Sequence, residues 1–438
     1  MTTENKTFCV LPWIHFAIKP DGLSKPCCRF QTWDAGNGVS EEQRNWHELD
    51  HNIVGTQAVV NSNQFEEIRQ VMLKGKKVSG CWKCYKEEEH AGYSMRTAYN
   101  EMYPAIDVNK PALKYLEVSF GNYCNLSCRT CNSGLSTTWY DDDKKLEGVY
   151  DTVEAFPKII DIPFSWNTED FNSIEEIKFV GGEPMLNPNF PKFLETVLAT
   201  GRGKDITLII FSNTSWFPKD KTIELLKKFK KVYIWMSIDS YGSRNDYIRN
   251  KSQWSVVDSC AQKWLDLEKD TGTIGTVLTP TLNFLNIFSI DKLIDWWLDN
   301  TKKRNLNFLS RHSIDERYNG GDIVFSSVYH PEEYSLKNVP NKKELINKFK
   351  HKQALSIKGC DKNEVFVISR MYSKIIRMLH KDLDADVDLI PIIQHTKDLD
   401  LLRSQDFKTT LPEVYRVIKQ ELQKNNLSYE EINGRLDA

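Results

Sequence analysis

No stretch of this sequence runs apolar for anything near the roughly 18 residues that a membrane-crossing helix needs, and the mean hydropathy is −0.50. A membrane protein is therefore not expected. Charge of one sign is lacking too. Lys and Arg number 58 against 60 Asp and Glu, a formal net charge of −2, so the chain offers no overall electrostatic footprint for nucleic acid. The opening residues, MTTENKTFCVLPW, lack a basic segment followed by a long apolar one. No secretory signal is read there, and the cytoplasm is the expected compartment. Low-complexity tracts and fixed-period repeats are missing as well.

What the chain has is length and cysteine. Its 438 residues suffice for two or three domains and a substantial core. Of ten cysteines, seven fall in three tight groups: Cys27–Cys28, Cys81/Cys84 and Cys124/Cys128/Cys131. Cys9 lies just upstream, and only Cys260 and Cys360 stand alone. A reducing compartment keeps thiols free for metal binding or catalysis, so clustering of this kind points to metal ligation. The two solitary cysteines read as small buried apolar residues.

Three regions follow from the patterning. Residues 1–105 are rich in cysteine and turn residues (KPDG, DAGNG), with one helix expected over 61–75, where a polar start, helical apolar spacing and a closing glycine coincide. From about 112 to 312, β-rich runs alternate with amphipathic pieces. The runs are 114–120, 176–182, 206–213, 231–239, 274–281 and 305–311, and the helical pieces include 190–201, 220–230 and 291–300. Such alternation predicts βα units around a parallel sheet, with chemistry in the loops after the strands. Residues 326–438 read mainly as polar helices, a layer over the core or an interaction surface, with no catalytic constellation. The expected division is 1–105, 106–325 and 326–438.

The first strand of the middle region runs into GNYCNLSCRTC, giving Cys124-x3-Cys128-x2-Cys131. Three thiolates on one loop ligate three irons of a four-iron cubane and leave the fourth open, as catalytic zinc sites keep one position open. A methionine-type amino and carboxylate pair would suit that open iron. The other readings are a zinc site short of one ligand, or structural thiols, although C-x2-C pairs dominate zinc spacings.

CNLSCRTC after a first strand resembles the signature of the radical S-adenosylmethionine (SAM) superfamily, whose core is a partial (β/α)6 TIM-like barrel. The resemblance implies a 4Fe–4S cluster on Cys124, Cys128 and Cys131, with bound SAM cleaved to a 5′-deoxyadenosyl radical that abstracts hydrogen from a substrate. At Thr130 the family usually has an aromatic residue against the adenine. Gly181-Gly182-Glu183-Pro184, closing the second strand, is similar to the family's GGEP motif for the methionyl amine; glycines allow close backbone approach and a carboxylate accepts from an ammonium. Asn213, followed by Thr214 where the family has glycine, would bond the cofactor or cap its loop. Ser237 and Asp239, sharing a face with Trp235 by alternation, match the family's ribose-binding strand end. Arg249, twelve residues beyond Ser237, matches the arginine that pairs with the cofactor carboxylate, with Asn245 and Asn250 in place of the usual histidine and glycine.

The first 84 residues hold another set. Cys9, twelve residues, Gly22, four residues, then Cys27 resembles the opening of the SPASM/twitch module, and Cys81-x2-Cys84 resembles its completion. Here the module precedes the barrel instead of following it. The resemblance implies an auxiliary 4Fe–4S cluster with all four irons ligated. A structural zinc site suits the same four cysteines, and Cys28 competes with Cys27. The expected partners are an electron donor such as flavodoxin or ferredoxin and a peptide or small-molecule substrate. The alternative from another class is a non-catalytic zinc or iron–sulfur binding protein with a decayed SAM site.

Overall fold

The computed structural model describes residues 5–31, 49–50, 55–91, 93–150, 156–160, 162, 165–306 and 323–436. Its contacts divide the chain into two units. One comprises Met1–Tyr123, Ile159–Phe211 and Pro218–Tyr233; the other comprises Cys124–Lys158, Ser212–Phe217 and Ile234–Ala438.

The strands are β1 (His15–Ile18), β2 (Leu23–Lys25), β3 (Leu49–Asp50), β4 (Tyr115–Ser119), β5 (Ser127–Cys128), β6 (Glu176–Val180), β7 (Thr207–Ser212), β8 (Lys231–Met236), β9 (Arg249–Asn250), β10 (Ile274–Leu278), β11 (Thr281–Leu282) and β12 (Ser326–Ser327). In the first unit the sheet order is β8-β7-β6-β4-β1-β2-β3. Pairs β1–β4, β4–β6 and β6–β7 are parallel, whereas β2 pairs antiparallel with both β1 and β3. The α/β class expected from the strand and helix alternation is what forms, consistent with a partial barrel. Five of the six expected strands appear as β4, β6, β7, β8 and β10. The sixth, 305–311, lies largely outside the described residues.

Alternation along β4 and β6 gives the sheet two different faces. Phe179 faces the helix Asn189–Ala199 and joins Phe120, Phe190, Phe193, Phe171 and Trp166 in an edge-to-face and stacked cluster. Burial of each such ring contributes roughly 2–3 kcal/mol. The opposite face carries charge: Glu117 lies directly across from Lys178, and the two form a 2.8 Å ion pair at 7% and 12% exposure. Burial there is tolerated because each charge has its partner.

The N-terminal segment extends the same sheet. β1 lies wholly buried beside β4, with His15 stacked on Tyr115 at 4.2 Å and its Nδ1 within 2.9 Å of the Tyr115 carbonyl. The expected helix over 61–75 forms as Asn63–Leu73, capped by the Ser62 hydroxyl.

In the second unit, β10 neighbours β8, whose Ile234–Met236 belong to this unit. The expected C-terminal helices form as Lys342–Ser356, Lys362–Lys381 and Pro412–Lys424, and a further helix spans Ile390–Arg403. Lys362–Lys381 starts at a capping box between Asp361 and Glu364 and buries Val367, Ile368, Met371, Tyr372, Ile375 and Leu379, one face of a helix. Among the described residues, no helix is long and apolar enough to cross a membrane.

Candidate functional site

The three-cysteine loop is fastened at each cysteine. β5, which contains Cys128, pairs antiparallel with β9 so that Cys128 faces Arg249 and Ser127 faces Asn250. Between Cys128 and Cys131 the chain turns tightly, Cys131 N donating to Cys128 O at 3.0 Å. That carbonyl also accepts from the Trp139 indole at 2.7 Å. At the other end the Thr137 hydroxyl donates to Cys124 O at 3.0 Å. Arg129 lies inside the loop sequence, and its side chain is fully buried against the Tyr247 ring at 3.8 Å, with Asp400 and Gln405 as its partners.

Arg249 Nη1 comes within 3.8 Å of Cys128 Sγ. Its Nε pairs with Asp239 at 2.8 Å, at 11% and 1% exposure. Burial opposes the Arg249 charge, but Asp239 and Cys128 outweigh it and hold the guanidinium above its ordinary pKa. Cys128 shows the other side of that interaction: burial pushes its thiol up, and Arg249 pulls it back. Burial beside the other two thiols also raises Cys131. Asp239 is itself fixed, accepting from Thr281 N at 2.8 Å, while its own N–H donates to Asn245. Asp239 therefore acts here as the support of Arg249. Alternation stops at Met236, where β8 ends, so Ser237 belongs to the loop beyond the strand; it is half-buried, and its N–H donates to Ser212 O at 2.7 Å.

Asn213 caps the loop that follows it and also reaches the cysteine loop. Its amide donates to Asn125 at 2.8 Å and reaches Cys124 Sγ at 3.8 Å, while its carbonyl oxygen caps Ser215 N at 2.9 Å. The next residue, Thr214, has φ +60° and is fully buried. That left-handed backbone explains the family's preference for glycine at this position, since a β-branched residue adopts it only at a cost. Ser212 Oγ accepts from Thr214 N at 3.1 Å and helps to hold it. Thr130 is half-buried in the loop.

The Gly-Gly-Glu-Pro turn follows β6 in the first unit. Gly181 and Gly182 have φ of +77° and +55°. A Cβ on Gly181 would meet Ser119 Oγ at 2.1 Å, and one on Gly182 would meet the Tyr123 carbonyl oxygen at 2.3 Å. Both positions therefore require glycine twice over, for conformation and for space. Tyr123 O accepts from Glu183 N at 2.8 Å; Glu183 is 1% exposed, and Pro184 opens a short 3-10 turn.

Also in the first unit, Cys9, Cys27, Cys81 and Cys84 line one cavity with Leu11, Arg29, Phe30, Met95 and Arg96. The spacing has a local cause. Gly22, at φ +88°, turns β1 into β2, and this hairpin returns Cys27 to the vicinity of Cys9. Cys81 ends a 3-10 turn at the start of the helix Trp82–Ala91, placing Cys84 one turn further along. Cys28 is exposed and does not line the cavity; the charges it feels most are those of Glu117 and Lys178.

Among the described residues no three His, Cys, Asp or Glu side chains are arranged as a ready site for a metal ion. The cavity is about 20 Å³, the room of about one water. Burial, reinforced by the neighbouring thiols, pushes Cys9 up to about 12 and Cys27 and Cys81 well above their ordinary value. The four are thus protonated by themselves, and a metal group would displace those protons. Sequence reading did not single out Arg29 and Arg96 at this cavity, or Arg129, Trp139, Asp400 and Arg403 around the loop.

Comparison with solved structures gives low overall likeness. Streptococcus suis SuiB bound to S-adenosylmethionine is 12% identical, with 78% of this chain and 69% of that chain covered, at a TM-score of 0.32. SuiB bound to its precursor peptide SuiA gives 13%, 78%, 70% and 0.34. The anSMEcpe enzyme with bound AdoMet gives 16%, 56%, 61% and 0.36. None of the curated protein sequences compared matches the chain. The family model described as the Radical SAM superfamily does match, over residues 118–294. That span contains the three-cysteine loop, the Gly-Gly-Glu-Pro turn, Asn213 and the Asp239–Arg249 pair, and it is the part of the chain that is similar to the radical SAM superfamily.

Proposed function

We propose that this chain is a SAM-cleaving radical enzyme with an auxiliary cluster, acting on a peptide. Cys124, Cys128 and Cys131 would hold a 4Fe–4S cluster with one iron open. Such a cluster, once reduced and bound to SAM, supplies a 5′-deoxyadenosyl radical for hydrogen abstraction. This chain's residues bind and orient. The Gly181-Gly182 backbone leaves space for the methionyl group with Glu183 as its amine acceptor, and Arg249 serves the carboxylate. Asn213, Ser237 and the Thr130 backbone are the remaining contacts. Asp239 contributes by holding Arg249.

Cys9, Cys27, Cys81 and Cys84 would ligate a second, fully coordinated cluster in a twitch-like module over 1–105. The barrel would then span 106–325 and the helical region 326–438. The peptide assignment draws support from SuiB, crystallised with a precursor peptide, and from anSMEcpe, crystallised with the Kp18Cys peptide. A flavodoxin or ferredoxin would deliver the electron.

The observation that carries this reading is the meeting of Arg249 with Cys128 at 3.8 Å: a cation held beside a cluster thiolate is what an anionic cofactor carboxylate at the same metal requires. Anaerobic purification with iron and sulfide counts tests it. The expected result is about eight irons per chain, two cubanes' worth, with reductant-dependent release of 5′-deoxyadenosine. Zinc without SAM cleavage would leave the non-catalytic reading standing.

A further inference from the structure

The helix Ile390–Arg403 lies outside the matched segment yet reaches the cysteine loop with three kinds of contact. Leu399 packs in one apolar cluster with Trp139, Leu146 and Tyr150, and Cys131 and Leu402 pack against that cluster. Asp400 takes the buried Arg129 of the loop. Arg403, its side chain 3% exposed, stacks over the Trp139 ring at 4.4 Å and pairs through Nε with Asp142 at 2.9 Å. That same Trp139 holds the Cys128 carbonyl.

The rest of the Arg403 guanidinium is unusual. Nη1 and Nη2 are buried and have no hydrogen-bond partner among the described residues. Burial and the Arg129 cation both work against the charge. Buried N–H donors are costly when nothing accepts from them, and a cation repelled by its neighbour is costlier still.

We propose that Arg403 is a tuning and positioning residue for the cysteine loop, its cation and free N–H groups serving the anionic, sulfur-ligated group that the loop would hold. This rests on the cluster reading given above. Positive charge and N–H donors beside an iron–sulfur cluster stabilise its reduced, more negative form and raise its potential. Arg403 would thus make one-electron reduction easier, while Asp142 partly offsets it.

The test is a potentiometric titration of the anaerobically reconstituted full chain with dithionite, following the EPR signal that SAM perturbs. Arg403→Gln is expected to shift the one-electron equilibrium at least tenfold toward the oxidised form, about 59 mV downward. Arg403→Lys, which keeps the charge, should stay within twofold of wild type. Asp142→Asn should move the potential the opposite way. An Arg403→Gln protein with full iron and unshifted potential overturns the proposal. If that variant does not fold, Asp142→Asn decides: an unchanged or lowered potential overturns it. A full-length chain with Cys124, Cys128 and Cys131 replaced by Ala that keeps all its iron overturns the cluster reading itself, and this proposal with it.

Discussion

Gly182→Ala separates the cost of a backbone conformation from the cost of a close approach. Gly182 and Gly201 both belong to the first unit and both have positive φ, +55° and +75°. A methyl group on Gly201 would meet nothing within 4 Å, whereas on Gly182 it would lie 2.3 Å from the Tyr123 carbonyl oxygen. Gly201→Ala therefore costs the left-handed conformation alone, about 1 kcal/mol. Gly182→Ala adds the displacement of Tyr123 O, the acceptor of Glu183 N at 2.8 Å. Losing that buried hydrogen bond adds about 2 kcal/mol.

The expected totals are about 1 and about 3 kcal/mol, or Tm reductions of roughly 1 and 3 °C for a chain of this length by scanning calorimetry. The Glu183 amide should also exchange with solvent roughly thirtyfold faster in Gly182→Ala than in Gly201→Ala, the equivalent of the 2 kcal/mol gap. SAM binding should be lost in the first variant and kept in the second. Equal Tm shifts and equal SAM affinities would refute the claim that this turn is shaped by close packing rather than by conformation.

Other expectations follow from single contacts. Cys27→Ala should lower bound iron by about four atoms per chain while Cys28→Ala leaves it intact, read by iron counts, because only Cys27 lines the cavity. Asp239→Asn leaves the Arg249 guanidinium buried without its counter-charge and should cost about 3–5 kcal/mol; SAM affinity measured by equilibrium dialysis should fall with it, and an unchanged affinity would show that Arg249 is placed independently. His395 is lowered to about 3 by burial and by Arg129, Arg403 and Arg435. Its folded pKa lies below the unfolded value of about 6.5, so the unfolded chain protonates first and stability falls as pH drops from about 6.5 toward 3. That contribution is about 2 kcal/mol at pH 5, and a Tm–pH series on His395→Gln should lose that part of the acid slope.

The motifs were legible because spacing and chemistry coincide in them. Cys124, Cys128 and Cys131 share one loop, Gly181-Gly182 must lack side chains, and the βα alternation that places them is a local pattern. The C-x12-G-x4-C spacing was legible for a similar reason, since Gly22 makes a hairpin whose arms bring Cys9 and Cys27 to one cavity. Two features lay beyond sequence pattern. Alternation carried past Met236 put Ser237 and Asp239 on one face, but β8 ends at Met236, and the pairing of the Asp239 carboxylate with Arg249 is not written in any alternation. The Ile390–Arg403 helix gave no motif because its contacts with the loop span some 270 positions, 271 for Arg129 to Asp400; no local pattern encodes a pairing of that reach.

The departures from the family pattern become coherent once that helix is included. Asn250 stands where the family has glycine, and its side chain bridges two directions: its amide donates to Ser127 Oγ at 2.8 Å, and its oxygen accepts from Gln405 at 3.1 Å. Gln405 in turn accepts from Arg129 at 2.8 Å, and Arg129 pairs with Asp400, whose carboxylate also takes the Tyr247 hydroxyl at 2.7 Å. Asn245, in the family's histidine position, accepts from Asp239 N at 3.1 Å and donates to Ser252 at 3.3 Å, steadying the loop that presents Arg249. A glycine at 250 would carry no side chain to join β5 and β9 to the residues beyond Arg403. Both asparagines thus make structural hydrogen bonds in this chain. Asn250 is a point at which the second unit's C-terminal segment is tied to the cysteine loop, through Gln405, so residues well outside the family motif help to hold that loop.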